Sequence, residues 1–178
     1  MTRVGMFHKV SYEQFKKDWI DTFKNKYNEM DDEYIDITIK DIYDSIKLPK
    51  RATTGSAGYD FFCPISYTIP INGSVKIPTG IKCEMDRDWV FQIYPRSSHG
   101  FKYGMHLANT VGIIDSDYIH SDNEGHIFVK LINDSDIASP INLKKGDAFC
   151  QGIFVPYGIT LDDDVSEIRH GGFGSTGW

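Results

Sequence analysis

An acid that closes an apolar run is the first place in this chain where chemistry is available. In "NTVGIIDSDYIHSDNEGHIFVKLIN" the apolar residues Val111–Ile114 lead straight into Asp115, with Asp117 and Tyr118 just behind. A turn accounts for Asp and Ser there. Tyr118 beside two acids is less simply explained by a turn. In "YPRSSHG", Arg96 stands with Ser97 and Ser98 after another apolar run. A guanidinium fork matches phosphate oxygens, while a plain surface turn fits the same residues. In "SAGYDFF", Asp60 enters an otherwise apolar stretch, where a carboxylate needs a partner. In "KKGDAFCQGIFVP", Gln151 lies inside an apolar strand, where its amide must be hydrogen-bonded. The last such stretch is "RHGGFGSTGW". Glycine is costly to order, and Phe173 alone does not offset that cost. The stretch is therefore either frayed or ordered by something that it binds.

Several familiar chemistries do not fit. "GFGSTG" has no lysine before its Ser-Thr, so it is not a nucleotide-binding P-loop. The six histidines show no HExxH or close ligand pair, which speaks against a zinc site. "RSSHG" is not a GxSxG nucleophile elbow. Cys63, Cys83 and Cys150 are odd in number and far apart, so neither a zinc ribbon nor a disulfide framework is expected. They read as small hydrophobes in strands, in a reducing compartment. A net charge of -6 argues against a nucleic-acid polymer as partner but leaves room for a small phosphate ligand. "MTRVGMFHKVSYEQF" has no apolar signal core, and no segment is long enough to span a membrane. The expected place is the cytosol, in the host cell if the chain is encoded by a phage or virus.

The elements that must position these residues come in two kinds. Residues 11–30 predict a helix, with Tyr12, Phe15, Trp19, Phe23, Tyr27 and Met30 on one stripe and Ser11 with Gln14 as a capping box. Such a stripe packs on its own domain or takes a protein partner. In "EYIDITIKD", Ile35, Ile37 and Ile39 alternate with polar residues and predict a strand. From there the pattern is a run of short β segments: "GYDFFCPISYTIP", "GSVKIPTGIKCEM", "WVFQIYP", "GHIFVKLIND" and "DAFCQGIFVPY". Turn signals separate them, which predicts an all-β sandwich, barrel or jelly roll. The acidic "LDDDVSE" reads as a solvated linker. The domains expected are a helical extension over 1–33, a β core over 34–168 and a glycine-rich arm over 169–178.

Taken in order, the polar stretches resemble the five motifs of the trimeric dUTPases. "LPKRATTGSAGYDF" looks like the first motif with its lead-in, and "PRSS" is similar to the second. "NTVGIIDSDY" is close to the third, "KKGDAFCQGIFVP" resembles the fourth and "GGFGSTG" the fifth. The resemblance implies a β jelly roll and a homotrimer that hydrolyses dUTP to dUMP and pyrophosphate, with active sites between subunits and the C-terminal arm closing over them. By position, Asp115 would be the base for a water attacking the α-phosphorus. Mg²⁺ would spread over the triphosphate, with Asp60 holding one of its waters. Arg96, Ser97 and Ser98 would hold phosphates, and Gln151 would place phosphate and water. Asn109, Ile113 and the facing Phe128 would line the uracil slot, Ile114 would also bind substrate, and Tyr118 would lie under the deoxyribose. Arg169 would pair with the terminal phosphate and Phe173 would stack on uracil, while Gly174, Ser175 and Thr176 would offer donors. "IHSDNEG" replaces a short x-Gly step of the family and implies a longer hairpin beside the uracil slot. "RHGGFG" is one residue shorter than the family's frequent arm motif. The helix at 11–30 has no counterpart in the minimal pattern. A nucleotide-responsive interaction protein on the same fold, with that helix or the hairpin as its contact surface, is the alternative; a dCTP deaminase fits the third and fifth motifs less well.

Overall fold

Side-chain alternation decides which faces of the strands meet. The computed structural model describes residues 2–134, 139–167 and 169. The chain begins with β1 (Gly5–Lys9), then α1 (Tyr12–Thr22), α2 (Lys24–Tyr27) and α3 (Asp32–Asp44). Strands β2 (Lys50–Arg51), β3 (Tyr59–Phe62), β4 (Tyr67–Ile69), β5 (Gly73–Pro78), β6 (Ile81–Met85) and β7 (Trp89–Pro95) follow. After α4 (Ser97–Tyr103) come β8 (His106–Leu107) and β9 (Gly112–Ile114), a 3₁₀ turn over Ser116–His120, and β10 (Phe128–Asn133), β11 (Ile141–Leu143) and β12 (Ala148–Pro156). The main sheet runs β2-β3-β12-β7-β9, and smaller sheets pair β5-β10-β8, β4-β11 and β1-β6. The pairings are antiparallel. In β10, Val129 and Leu131 turn inward while Lys130 faces out, as a half-buried strand requires. Phe61, Phe91 and Phe149 of the main sheet share one core with Ile69, Ile77 and Leu131 of the smaller sheets. This is the all-β jelly-roll architecture expected. Cys63, Cys83 and Cys150 are free and buried. Among the described residues no helix is long and apolar enough to cross a membrane.

Four expectations are corrected. The segment around Ile35, Ile37 and Ile39 is helix α3, not a strand. Ile35, Ile39 and Ile42 are its buried residues, at the spacing of a helical face, and Ile37 is 55% exposed. Asp31 starts the helix by accepting from the backbone N–H of Glu33 at 2.9 Å and of Tyr34 at 3.3 Å. Three alternating positions are too few to separate a period of two from one of 3.6. The helix predicted over 11–30 is divided. Phe23 leaves the helical region at φ -117°, ψ 32° and ends α1, and Met30 lies outside both α1 and α2. The capping box is half made: Ser11 Oγ accepts from the Gln14 N–H, but the Gln14 amide turns to Asp18. Finally, the segment after Tyr118 is not a hairpin. β9 pairs with β7, whereas β10 pairs with β5 and β8, so residues 115–127 cross between two sheets.

The aromatic stripe is occupied by the protein itself. Phe15, Trp19 and Tyr27 are buried, Trp19 Nε1 donates to the Tyr27 hydroxyl at 2.8 Å, and Phe15 meets Tyr43 with ring centres 5.5 Å apart. This corrects the stripe as a surface for a protein partner.

One buried base gives a pH prediction. His126 is fully buried, and burial pushes its imidazole below the ordinary value, against the opposing pull of Asp18 and Glu124 and together with Lys76. Half-buried His99, beside Arg96, is lowered as well. In the unfolded chain both take a proton near pH 6.5. The unfolded state therefore binds more protons below that pH. The stability contributed by the neutral folded forms is complete above about 6.5 and is lost as pH falls from there, by at most about 1.4 kcal/mol per pH unit for each group. His106, raised by its hydrogen bond to the Leu107 carbonyl and by Asp134, gains stability over the same range and offsets part of this loss. The contribution of His126 is therefore read by difference: in chemical denaturation from pH 7.5 to 5, His126→Gln should lose less stability towards acid than the parent while being less stable at neutral pH. An equal slope in that variant would remove His126 from the acid limb.

Candidate active site

β9 presents its residues to two environments. Ile114 turns inward and Ile113 is 53% exposed. The strand ends at Asp115, whose extended backbone (φ -74°, ψ 156°) caps the 3₁₀ turn, and its carbonyl accepts from the Tyr118 N–H at 3.1 Å. That turn folds the Tyr118 ring back beside the strand. A pocket of about 150 Å³ results, lined among others by Asn109, Ile113, Ile114, Tyr118, Phe128 and Arg169. The Tyr118 ring is 6% exposed. Its hydroxyl donates to the carbonyl of His126 at 2.9 Å and accepts from Asn123 Nδ2 at 2.9 Å. At the rim, the Asp115 carboxylate is paired with the Arg169 guanidinium. The Arg169 Nε also donates to Asp117 at 2.8 Å, and its guanidinium lies 5.9 Å from the centre of the Tyr118 ring.

A second group of side chains is built on the same sheet. The register places Gln151 of β12 across from Asp60 of β3 on one side and Tyr94 of β7 on the other. The partner that Asp60 needs is Arg96, whose Nε lies 3.1 Å from its carboxylate. Arg96 also reaches the carbonyl of Ala148 at 3.4 Å, and Gln151 Nε2 reaches that of Pro95 at 3.4 Å. Ser97 and Ser98 open α4 with exposed side chains. Gly58 holds a space for Gln151: a Cβ there would stand 2.5 Å from Oε1 of that amide. Gly58→Ala should therefore leave a folded protein with a displaced Gln151 and a loss of about tenfold in kcat/KM, the order of one hydrogen bond misplaced in a site. Unchanged turnover in this variant would show that the Gln151 amide has no part in the reaction.

The two groups do not meet within one chain. Ile114 is paired with Phe91, so Asp115 lies near the start of β7, while Arg96 follows its far end. Arg96 stands five positions beyond Phe91, which at about 3.3 Å each is a backbone span of roughly 17 Å. Phe173, Gly174, Ser175 and Thr176 lie outside the described residues. Sequence reasoning missed Asn123 and His126, which support the pocket, and Gly58, which makes room for Gln151 in the second group, because each acts through a contact that no local pattern announces.

A fold of antiparallel sheets with a small pocket of mixed polarity, one of whose lining residues, Arg169, is paired with the Asp115 carboxylate, and an arginine–carboxylate–amide group on the same sheet, has the build of a jelly-roll nucleotide enzyme. The dUTPase family model matches residues 44–177. Over 135 residues the chain is 41% identical to the deoxyuridine 5'-triphosphate nucleotidohydrolase of Lactococcus lactis, covering 74% of this chain and 89% of that one. It is 38% identical to the enzyme of the same name from Haemophilus ducreyi, covering 81% and 97%. A crystal structure of dUTPase from Streptococcus mutans superposes with a TM-score of 0.58 at 36% identity, over 66% of this chain and 90% of that chain. The chain belongs to the dUTPase family.

Proposed function

We propose that the two groups of side chains divide the hydrolysis of dUTP to dUMP and pyrophosphate, the reaction of the family, between copies of this chain in a homotrimer. The observation that carries this is the separation of Asp115 from Arg96 along β7. With Phe91, the partner of Ile114, roughly 17 Å along β7 from Arg96, the base and the phosphate-binding cation sit towards opposite ends of the strand, which supports sites shared between copies, each copy offering half of two sites.

In this reading uracil enters the pocket, against Phe128 and the backbone around Asn109, Ile113 and Ile114. Arg96, Ser97 and Ser98 of another copy hold the phosphates, and Gln151 places phosphate and water. Water attacks the α-phosphorus as its proton passes to Asp115. The bond from the α-phosphorus to the bridging oxygen breaks, and pyrophosphate leaves with that electron pair. Arg169 has to release Asp115 before that carboxylate can take the proton, and the terminal phosphate is its alternative partner. Phe173, Gly174, Ser175 and Thr176 complete the enclosure from the arm. Mg²⁺ is the implied cation. Asp60 carries a carboxylate that is 17% exposed and engaged by Arg96, and among the described residues no three His, Cys, Asp or Glu are gathered. Such a donor set suits an ion that keeps its waters and takes its other ligands from substrate phosphates. Asp60 would hold one of those waters, and the ion would draw charge from the triphosphate.

Sugar selection tests the pose. A ring packed under the deoxyribose leaves a 2′-hydroxyl without space or partner, at about 1–3 kcal/mol, or roughly ten- to a hundredfold in kcat/KM. Tyr118→Ala should narrow the ratio of dUTP to UTP, while Tyr118→Phe, which keeps the ring, should hold it. An unchanged ratio in folded Tyr118→Ala protein would mean that Tyr118 only packs. The aromatic face of α1 is buried, so nothing favours the reading as an interaction protein.

A further inference from the structure

The family match begins at residue 44, so α1 lies outside it. Yet α1 grips the segment that carries the pocket. From that segment Tyr118 departs at one end and Phe128 at the other, and α1 holds it at two points. At the helix start, the Ser11 backbone N–H donates to Glu124 at 2.9 Å, and Lys82 meets the same carboxylate at 3.0 Å. About two turns further along α1, Asp18 meets Nδ1 of His126 at 2.6 Å.

The tautomer of His126 follows from its other nitrogen. The backbone N–H of Gly80 donates to Nε2 at 2.8 Å. An amide N–H can only donate, so Nε2 is the bare nitrogen, and Nδ1 carries the proton given to Asp18. Asp18 is itself oriented by Gln14, whose amide donates to the same carboxylate oxygen at 2.8 Å. The imidazole is thus fixed in one orientation from both edges. Its ring packs on the Phe128 ring, tilted by 40° with centres 4.5 Å apart, and its backbone carbonyl receives the Tyr118 hydroxyl. Both aromatic walls of the pocket therefore rest on one residue, and that residue is held by a helix outside the family core.

We propose that Asp18 and His126 are positioning residues for the nucleoside half of the substrate: α1, through the Asp18–His126 hydrogen bond, sets the spacing between Tyr118 and Phe128. This rests on the reading that the pocket takes the base and sugar. The device acts on binding more than on the chemical step, because Asp115 is placed by β9 and the 3₁₀ turn rather than by His126. Buried side chains that orient a site through a second hydrogen bond commonly change affinity while the reacting groups stay put.

The test compares the intact protein with Asp18→Ala, Asp18→Asn and Phe128→Ala, using calorimetric binding of dUMP and of inorganic tripolyphosphate together with dUTP kinetics. Asp18→Ala should weaken dUMP, and raise KM for dUTP, by about five- to tenfold, the range open to one hydrogen bond. Tripolyphosphate affinity and kcat should stay within about twofold, a split that separates ground-state binding from chemistry. Asp18→Asn keeps an oxygen to accept the Nδ1 proton and should restore dUMP affinity. A folded Asp18→Ala protein with a lower melting temperature and unchanged dUMP affinity would overturn the proposal, leaving Asp18 a purely structural residue. Equal weakening of dUMP in Asp18→Asn would also overturn it, since charge and not orientation would then be the cause. If Phe128→Ala leaves dUMP affinity unchanged, the pocket assignment itself fails; if Phe128→Ala weakens dUMP and Asp18→Ala does not, only the positioning role fails. Should Asp18→Ala not fold, Glu124→Ala loosens the same segment from its partly exposed end, and it must weaken dUMP over tripolyphosphate for the proposal to stand.

Discussion

Asp115→Asn is expected to bind dUTP about as well as the parent protein and to lose roughly two to four orders of magnitude in kcat, the usual cost of removing a general base. The substitution changes little else. The asparagine keeps the shape of the side chain at the end of β9, and the turn that follows is made by the backbone carbonyl of residue 115, not by its side chain. The Arg169 guanidinium loses one carboxylate but keeps its contact with Asp117. What disappears is the capacity to take a proton from water at neutral pH. Single-turnover measurement with saturating dUTP separates this from a binding defect. A kcat within a fewfold of the parent value would take Asp115 out of the reaction and return it to the status of a turn residue.

Two inactive proteins should make an active one. If the base and the phosphate-binding arginine of one site come from different copies, Asp115→Asn and Arg96→Ala each destroy every site in a uniform assembly. Unfolding and refolding them together at equal ratio shuffles the copies. By chance, a site then draws an intact Asp115 and an intact Arg96 together about one time in four, so roughly a quarter of the parent activity should return. Such a gain from near zero cannot come from partial function of either variant. No recovery in mixed assemblies, shown to be mixed by mass spectrometry, would place both groups in one chain's site and overturn the shared-site reading. Arg96→Ala also strands the Asp60 carboxylate without its partner, a cost of about 3–5 kcal/mol if the pair were fully buried and less at this exposure. Asp60 and Arg96 should therefore be substituted together in a control.

Sequence alone was informative wherever the signal is local. Ser11 caps α1 because the N-cap interaction spans three residues. The short strands and their turns follow from alternation and glycine placement, and the order of five polar stretches marks the family. The residues meant for the pocket, Asn109, Ile113, Ile114, Tyr118 and Phe128, do converge on it with Arg169. Where Asp60 needed a partner, the need was legible but Arg96 was not named, because 36 positions of chain separate the two in the numbering.

Tertiary contacts decided the rest. Ile35 to Ile39 satisfies a strand pattern and a helix pattern equally over so short a span. Helix won because Ile35, Ile39 and Ile42 together find a buried face. The crossing of residues 115–127 between sheets, the hold of Asp18 on His126 across the fold and the distance from Asp115 to Arg96 are likewise set by which strands pair. Pairing is chosen by the burial of whole faces rather than by neighbouring residues. A sequence therefore declares what its residues can do, but how far apart they stand is settled only when the sheets close on a common core.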